Sequence, residues 1–132
     1  MDNISLLGSK STAYTYDKPV AEMLEWFDSP SSMNFTIHLT CPEFTSLCPK
    51  TGQPDFAEII IEYIPNAKCV ESKSLKLYMF AYRNCGMFHE ACVNKIANDI
   101  WEAIFPKYIK VTGNFRPRGG IAIIPVVERG NK

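Results

Sequence analysis

The sequence predicts an α+β domain, an antiparallel four-stranded sheet with two helices on one face. Three observations predict it. Residues 34–40 alternate polar and apolar side chains with period two, the mark of a half-buried strand. Residues 72–83 and 88–105 carry apolar residues at helical spacing. Two further strand-like runs, 109–115 and 121–127, follow them. The order strand, strand, helix, helix, strand, strand indicates a sheet with its helices gathered on one side. Such a sheet keeps two unpaired edges, and closure with further copies into a β-barrel would remove them.

Each element has a local cause. Residues 1–32 form a lead-in: 9–12 read as loop, and Pro19 opens a short helix with Val20, Met23, Leu24 and Phe27 on one face. In the first strand Phe35, Ile37 and Leu39 oppose Thr36, His38 and Thr40. The second, 56–64, has Ala57, Ile59, Ile61 and Tyr63 on one face and Phe56, Ile60 and Ile64 on the other, so cover is expected on both sides. Ser72 suits an N-cap, Leu75, Tyr78, Met79 and Tyr82 make a helical stripe, and Gly86 suits a left-handed C′ position. Val93, Ile96, Ala97, Ile100, Trp101 and Ile104 stripe the second helix, which Pro106 closes. In 109–115, Ile109, Val111 and Phe115 oppose Lys110, Thr112 and Asn114. A basic turn, 116–120, precedes the last run, where Pro125 suggests an edge position.

At 132 residues with 46% hydrophobic and 21% charged content, the chain is a single globular domain able to bury a core. Lys plus Arg and Asp plus Glu both number 14, which offers no charge excess for nucleic acid or an anionic membrane. No apolar run approaches the ~20 residues of a membrane span, and the first residues lack the pattern of a signal peptide. Cys41, Cys48, Cys69, Cys85 and Cys92 are odd in number and contain no C-x-x-C pair, so a reducing cytoplasm is expected. With only His38 and His89 beside them, a structural zinc site is short of ligands.

Chemistry concentrates in residues 43–56, where Pro49, Gly52 and Pro54 mark an ordered connection rather than an element interior. Cys48 and Asp55 on one tight loop make a nucleophile and a proton-transfer group. Taken alone, the loop fits a buried cysteine and a turn-capping aspartate better. Further on, Glu71 and Ser72 suit a helix N-terminus, but Lys73 and Lys76 sit where the dipole disfavours cations. A nearby phosphate or simple solvation accounts for them equally well. Glu90 opens the second helix, where it could favour the dipole or accept the N–H groups of a purine-like ring. Cys92 follows His89 by three residues and shares its face.

Four stretches together resemble one family. The run from Pro42 to Phe56, Pro-Glu-Phe-Thr-Ser-Leu-Cys-Pro-Lys-Thr-Gly-Gln-Pro-Asp-Phe, is similar to the catalytic loop of the NADPH-dependent 7-cyano-7-deazaguanine reductases, the nitrile reductases of queuosine biosynthesis. Glu71-Ser72-Lys73-Ser74-Leu75-Lys76-Leu77-Tyr78 resembles their signature helix. Phe88-His89-Glu90 and Phe115-Arg116-Pro117-Arg118-Gly119-Gly120-Ile121 match in the same order. The resemblance implies a tunnelling fold of the unimodular type, subunits closing into a barrel, a decamer of two stacked pentamers, and active sites between subunits. It implies that Cys48 adds to the nitrile as a thiolate, giving a thioimide, and that Asp55 supplies the proton. Val70, Glu71, Ser72, His89 and Glu90 would hold the deazaguanine. Lys73, Lys76 and Arg118 would bind the phosphates of NADPH, consumed twice per turnover, with no metal required. No G-x-G-x-x-G motif is present for the nucleotide. A further expectation is a reversible Cys48–Cys92 disulfide shielding the nucleophile.

Three other readings remain open at this point: a second tunnelling-fold enzyme acting on a pterin or purine, a cysteine-dependent nitrile or amide hydrolase, and a binding module without catalysis.

Overall fold

A computed structural model describes residues 18–132. Its elements, in chain order, are β1 (Trp26–Asp28), β2 (Ile37–Leu47), β3 (Pro54–Ile64), β4 (Lys68–Val70), α1 (Ser72–Phe80), α2 (His89–Ile104), β5 (Tyr108–Phe115) and β6 (Val126–Gly130). The main sheet is antiparallel with order β2-β3-β5-β6, and β1 pairs with β4 in a separate two-stranded sheet. The expected strand-strand-helix-helix-strand-strand order therefore holds for the main elements.

Core residues come from one face of the sheet and from both helices. Ile59 and Ile61 of β3, Ile109 and Val111 of β5, and Val93, Ile96 and Ile100 of α2 are all fully buried in one cluster. The alternation and the helical stripe put them there. The other face of β3 is open in the single chain, with Phe56 exposed and Ile60 half-buried. Gly113 falls on the core face of β5, and its lack of a side chain is what lets α2 approach. A Cβ there would lie 2.4 Å from Val93 Cγ2 and 2.9 Å from Phe115 Cε2.

The structure departs from the sequence reading at several ends. The loop expected at 9–12 lies outside the described residues. Behind Pro19 there is only a 3₁₀ turn, Ala21–Met23, with no side-chain cap at Val20. The chain then runs into β1, and Phe27 pairs with Cys69 instead of lying on a helix face. Tertiary pairing overrides a weak amphipathic pattern here. Glu71, not Ser72, caps α1: its carboxylate accepts the N–H groups of Lys73 and Ser74 at 2.8 Å each. A carboxylate satisfies two orphan donors at once and matches the positive end of the dipole. The helix stops at Phe80 and continues as turns. Gly86 does not take up a left-handed conformation. It lies where a Cβ would meet Pro49 Cα at 3.4 Å. Only Phe105, after α2, is left-handed among non-glycine residues described, with φ 44°.

Two strands also differ in length. The last run becomes a strand only from Val126, because Pro125 has no N–H to give; its carbonyl still accepts from Gly113 N at 3.0 Å. Conversely, β2 does not end at residue 40. It continues to Leu47 through a bulge, in which Cys41 pairs with Ile59 and Phe44 with Ala57. Pro42 and Glu43 together oppose Glu58 alone. Pro42 is tolerated because β2 is an edge strand. The connection predicted over 43–56 thus shrinks to 48–53.

Substituting Gly113→Ala is expected to destabilise the domain by about 1–3 kcal/mol through overpacking. A shifted denaturant midpoint measures it, and Val93→Ala in the same chain should recover part of the loss.

Candidate active site

The bulge determines what faces inward at the end of the sheet. Before it the odd residues Ile37, Leu39 and Cys41 face the core; after it Phe44 and Ser46 do. One extra residue in a strand reverses its parity. Ser46 then lies opposite Asp55 of β3, and both are buried.

From Cys48 the chain turns back on itself. Cys48 N donates to the Gln53 carbonyl and Gly52 N donates to the Cys48 carbonyl, both at 2.9 Å. Gly52 takes φ +72°, a conformation that suits glycine. The α1–α2 connection is tied to the same spot: Leu47 N donates to the Cys85 carbonyl at 3.1 Å, and Met87 N to the Leu47 carbonyl at 3.0 Å. That pair of bonds sets the start of α2, and with it His89, beside β2 and β3. Phe115 of β5 stacks on the His89 ring at 3.8 Å and 9°.

Arg118 arrives from the 116–121 turn. Arg118 and Ile121 exchange backbone hydrogen bonds at 3.0 Å, around Gly119 and Gly120 at φ +57° and +79°. Two successive positive φ values define a type I′ hairpin turn. The guanidinium meets all three other groups. Its Nε lies 3.0 Å from Asp55 Oδ1, and one terminal nitrogen lies 3.2 Å from Asp55 Oδ2 and 3.1 Å from His89 Nε2. The other terminal nitrogen reaches Cys48 Sγ at 3.5 Å. His89 Nδ1 stands 3.9 Å from Asp55 Oδ2, an ion-pair distance without a hydrogen bond.

These neighbours set the ionisation of the site. The Thr51 hydroxyl, then the N–H groups of Thr51 and Lys50, draw Cys48 down to about 7; burial opposes them and Arg118 adds a smaller pull. Burial lowers His89, with Asp55 opposing and Arg118 reinforcing, so its ring is neutral at pH 7 and Nε2 accepts from Arg118. Cys92, fully buried, is pushed up to about 12 by its burial. All five cysteines are free thiols.

Of the residues singled out from the sequence, Cys48, Asp55, His89 and Arg118 converge. Val70, Glu71, Ser72, Lys73 and Lys76 lie at the β4–α1 junction and first turns of α1, and none joins the hydrogen bonds of the cluster. Glu90 is exposed in the first turn of α2. Ser46, Thr51 and Phe115 belong to the site and carried no signal beyond their place in the loop and strand. Two cavities, of about 420 and 580 Å³, flank the bulge and share Pro42–Thr45 and Arg83; neither is lined by Cys48, Asp55 or His89. Among the described residues no helix is long and apolar enough to cross a membrane.

A thiol drawn down to about 7 and a buried carboxylate share one guanidinium on an antiparallel sheet with two covering helices, an arrangement suited to a cysteine-dependent enzyme. Comparison with known proteins makes this specific. A family model described as QueF-like protein matches residues 54–132. A protein of Streptococcus thermophilus named NADPH-dependent 7-cyano-7-deazaguanine reductase is 55% identical over 131 residues, 98% of this chain and 80% of that protein. One of the same name from Bacteroides thetaiotaomicron is 58% identical over 130 residues, 98% of this chain and 85% of its own. The apo crystal structure of an archaeosine synthase QueF-Like superposes with a TM-score of 0.69 at 25% identity, covering 79% of this chain and 99% of that one. The chain belongs to the QueF-like family, among the NADPH-dependent 7-cyano-7-deazaguanine reductases, and is an oxidoreductase.

In the native protein, Cys48 should react with iodoacetamide along a pH profile with its midpoint near 7. Cys92 should stay unmodified through the neutral range, as peptide masses after alkylation would report.

Proposed function

We propose that this enzyme reduces the nitrile of 7-cyano-7-deazaguanine to the aminomethyl group, through a thioimide on Cys48, in the queuosine pathway. The observation that carries the reading is the contact of one guanidinium with Cys48, Asp55 and His89, in a chain whose relatives bear that reductase name.

The residues supply the steps as follows. Cys48 adds to the nitrile carbon, and its proton passes through Asp55 to the nitrile nitrogen, so the thioimide forms without net proton uptake. NADPH, when bound, supplies a hydride to carbon in each of two reductions. After the first, the C–S bond breaks, Cys48 leaves as thiolate and an imine remains. The second reduction and a proton from Asp55 give the amine. Four electrons and two protons enter overall. Arg118 contacts both oxygens of Asp55 and the Cys48 sulfur, so the two groups share one guanidinium in the resting site.

The cofactor finds suitable groups on this chain. Ser72, Leu75, Lys76, Met79, Phe80 and Arg83 line the cavity of about 420 Å³. An apolar wall with cations at its rim, within the volume range of ligand pockets, fits part of a dinucleotide. Lys73 and Lys76 at the head of α1, and Arg118 once it leaves Asp55, are the proposed phosphate partners. Val70, Glu71, Ser72, His89 and Glu90 are the proposed deazaguanine recess. That none of the α1-junction residues Val70, Glu71, Ser72, Lys73 and Lys76 takes part in the hydrogen bonds of Arg118 with Cys48, Asp55 and His89 supports a site shared by two copies. The open edges β2 and β6, with Val126 exposed at one of them, support closure into a ring, in the decamer of two pentamers expected for the unimodular type.

The test is NADPH absorbance on adding 7-cyano-7-deazaguanine, with intact protein mass in parallel. Two NADPH should be consumed per amine, and a substrate-mass adduct should form without NADPH and vanish in Cys48→Ala. Asp55→Asn should slow turnover about 10²–10⁴-fold by removing proton transfer. An adduct-free wild-type protein that consumes no NADPH would sink the proposal.

A further inference from the structure

We propose that Phe115 is a positioning residue for His89: its ring, stacked flat on the imidazole at 3.8 Å and 9°, fixes the plane in which Nε2 meets Arg118. The proposal deepens the reading of His89 as a deazaguanine partner, and its consequence for the substrate rests on that reading.

Little else holds the imidazole. The start of α2 sets the backbone of His89 and leaves the ring to turn about its Cβ–Cγ bond. One terminal nitrogen of Arg118 stands 3.1 Å from Nε2. A guanidinium has no acceptor, so it donates there, and the proton of the neutral ring lies on Nδ1. Nδ1 makes no hydrogen bond and stands 3.9 Å from Asp55 Oδ2. Nε2 lies close to the axis through Cβ and Cγ, so a single bond at that atom resists rotation weakly. A flat ring against the imidazole face resists it directly.

Phe115 makes a fixed platform. It ends β5, is 2% exposed, and pairs with Ala57 in the ladder. Its ring meets Phe44 edge-on at 6.2 Å and 88°, and Phe44 in turn lies 5.3 Å from Tyr82, both within the preferred range for aromatic pairs. Gly113 gives the ring its room, since a Cβ there would come within 2.9 Å of Phe115 Cε2. Burial holds His89 below its ordinary value, and the charged groups that face it are Asp55 of β3, Arg118 of the 116–121 turn and Glu90 of its own helix. An aromatic face by itself favours the imidazolium. Burial outweighs that attraction here, so the stack acts by orienting the ring and keeping water from it. Once Arg118 moves to a phosphate, the oriented Nε2 lone pair is left to accept a ring N–H of the base.

Heteronuclear NMR of isotope-labelled, ligand-free protein reads the tautomer of each imidazole. The chain has two histidines, and exposed His38 is the reference signal. At pH 7 the wild type should show His89 mainly as the Nδ1–H form. In Phe115→Leu, which fills the space without a flat face, that form should fall to a minority, and the His89 midpoint should rise as water reaches the ring. Phe115→Tyr, which keeps the flat ring, should stay close to the wild type. Phe115→Met gives a second reading should leucine disturb the sheet, and an unmoved His38 signal reports that the fold is kept. A wild type without the Nδ1–H form overturns the proposal, as does a tautomer unmoved in both Phe115→Leu and Phe115→Met. Loss of that form in Phe115→Tyr as well would assign the effect to packing and overturn it too. The spectrum needs neither nitrile nor NADPH, so a wild type that reduces no nitrile would refute the proposed reaction and leave this measurement standing. An unmoved tautomer would leave thioimide formation by Cys48 untouched.

Discussion

One carboxylate withdrawn from water organises the end of the sheet. Asp55 is 4% exposed, and an unpaired charge at that depth costs several kcal/mol. The chain answers it with Arg118, delivered by simple continuation of the β3–β5 ladder. Phe115 pairs with Ala57, and Arg116 N still reaches the Phe56 carbonyl at 2.9 Å, so the turn that follows lands beside the start of β3. The two glycines then fold that turn tightly enough to bring the guanidinium back over Asp55. Because the same guanidinium also meets His89 and Cys48, satisfying the buried charge places the remaining members of the site.

The cysteine depends on a different device, the bulge at Pro42 and Glu43. In an unbroken strand, the alternation set by Ile37, Leu39 and Cys41 would carry Glu43 and Thr45 inward and turn Phe44 and Ser46 to solvent. The extra residue exchanges the two sets, so Phe44 packs on Tyr82 and Phe115 while Ser46 comes to lie opposite Asp55. Cys48 follows on this shifted phase, buried but at the mouth of the loop. Bulges recur beside active sites because they re-aim side chains without adding an element.

Much of this was legible in the sequence, for reasons that differ by residue. Period-two alternation in β3 and β5 and the stripe of α2 reflect burial against one shared core, so patterning alone places Ile59, Ile109 and Ile96. Cys48, Asp55 and His89 were found through the resemblance of whole motifs, since each taken singly fits a structural role. What patterning could not show are effects decided by partners distant in sequence. The short β1 exists because β4 is there to pair with it. Glu71 displaces Ser72 as the cap because its longer side chain reaches two N–H groups, and the lead-in fixes that corner further, with Glu25 N donating to Ser74 Oγ at 2.9 Å and Glu71 N to the Glu25 carbonyl at 2.8 Å. The contact of Arg118 with Asp55 follows from a strand register that composition does not encode.

Burial alone does not distinguish the thiols. Cys48 and Cys92 are both shut away from solvent, and withdrawal from water penalises a thiolate in either place. Cys92 sits on α2 with its backbone N–H spent on the Phe88 carbonyl, inside an apolar cluster, and burial pushes its thiol up to about 12. Cys48 sits where a helix or strand ladder has claimed none of the following N–H groups. The tight turn after it keeps the N–H groups of Thr51 and Lys50 out of any helix or strand ladder, and the Thr51 hydroxyl with them draws the thiol down to about 7. A polar loop too short to form regular structure therefore draws one thiol down, while the regular helix keeps the other raised.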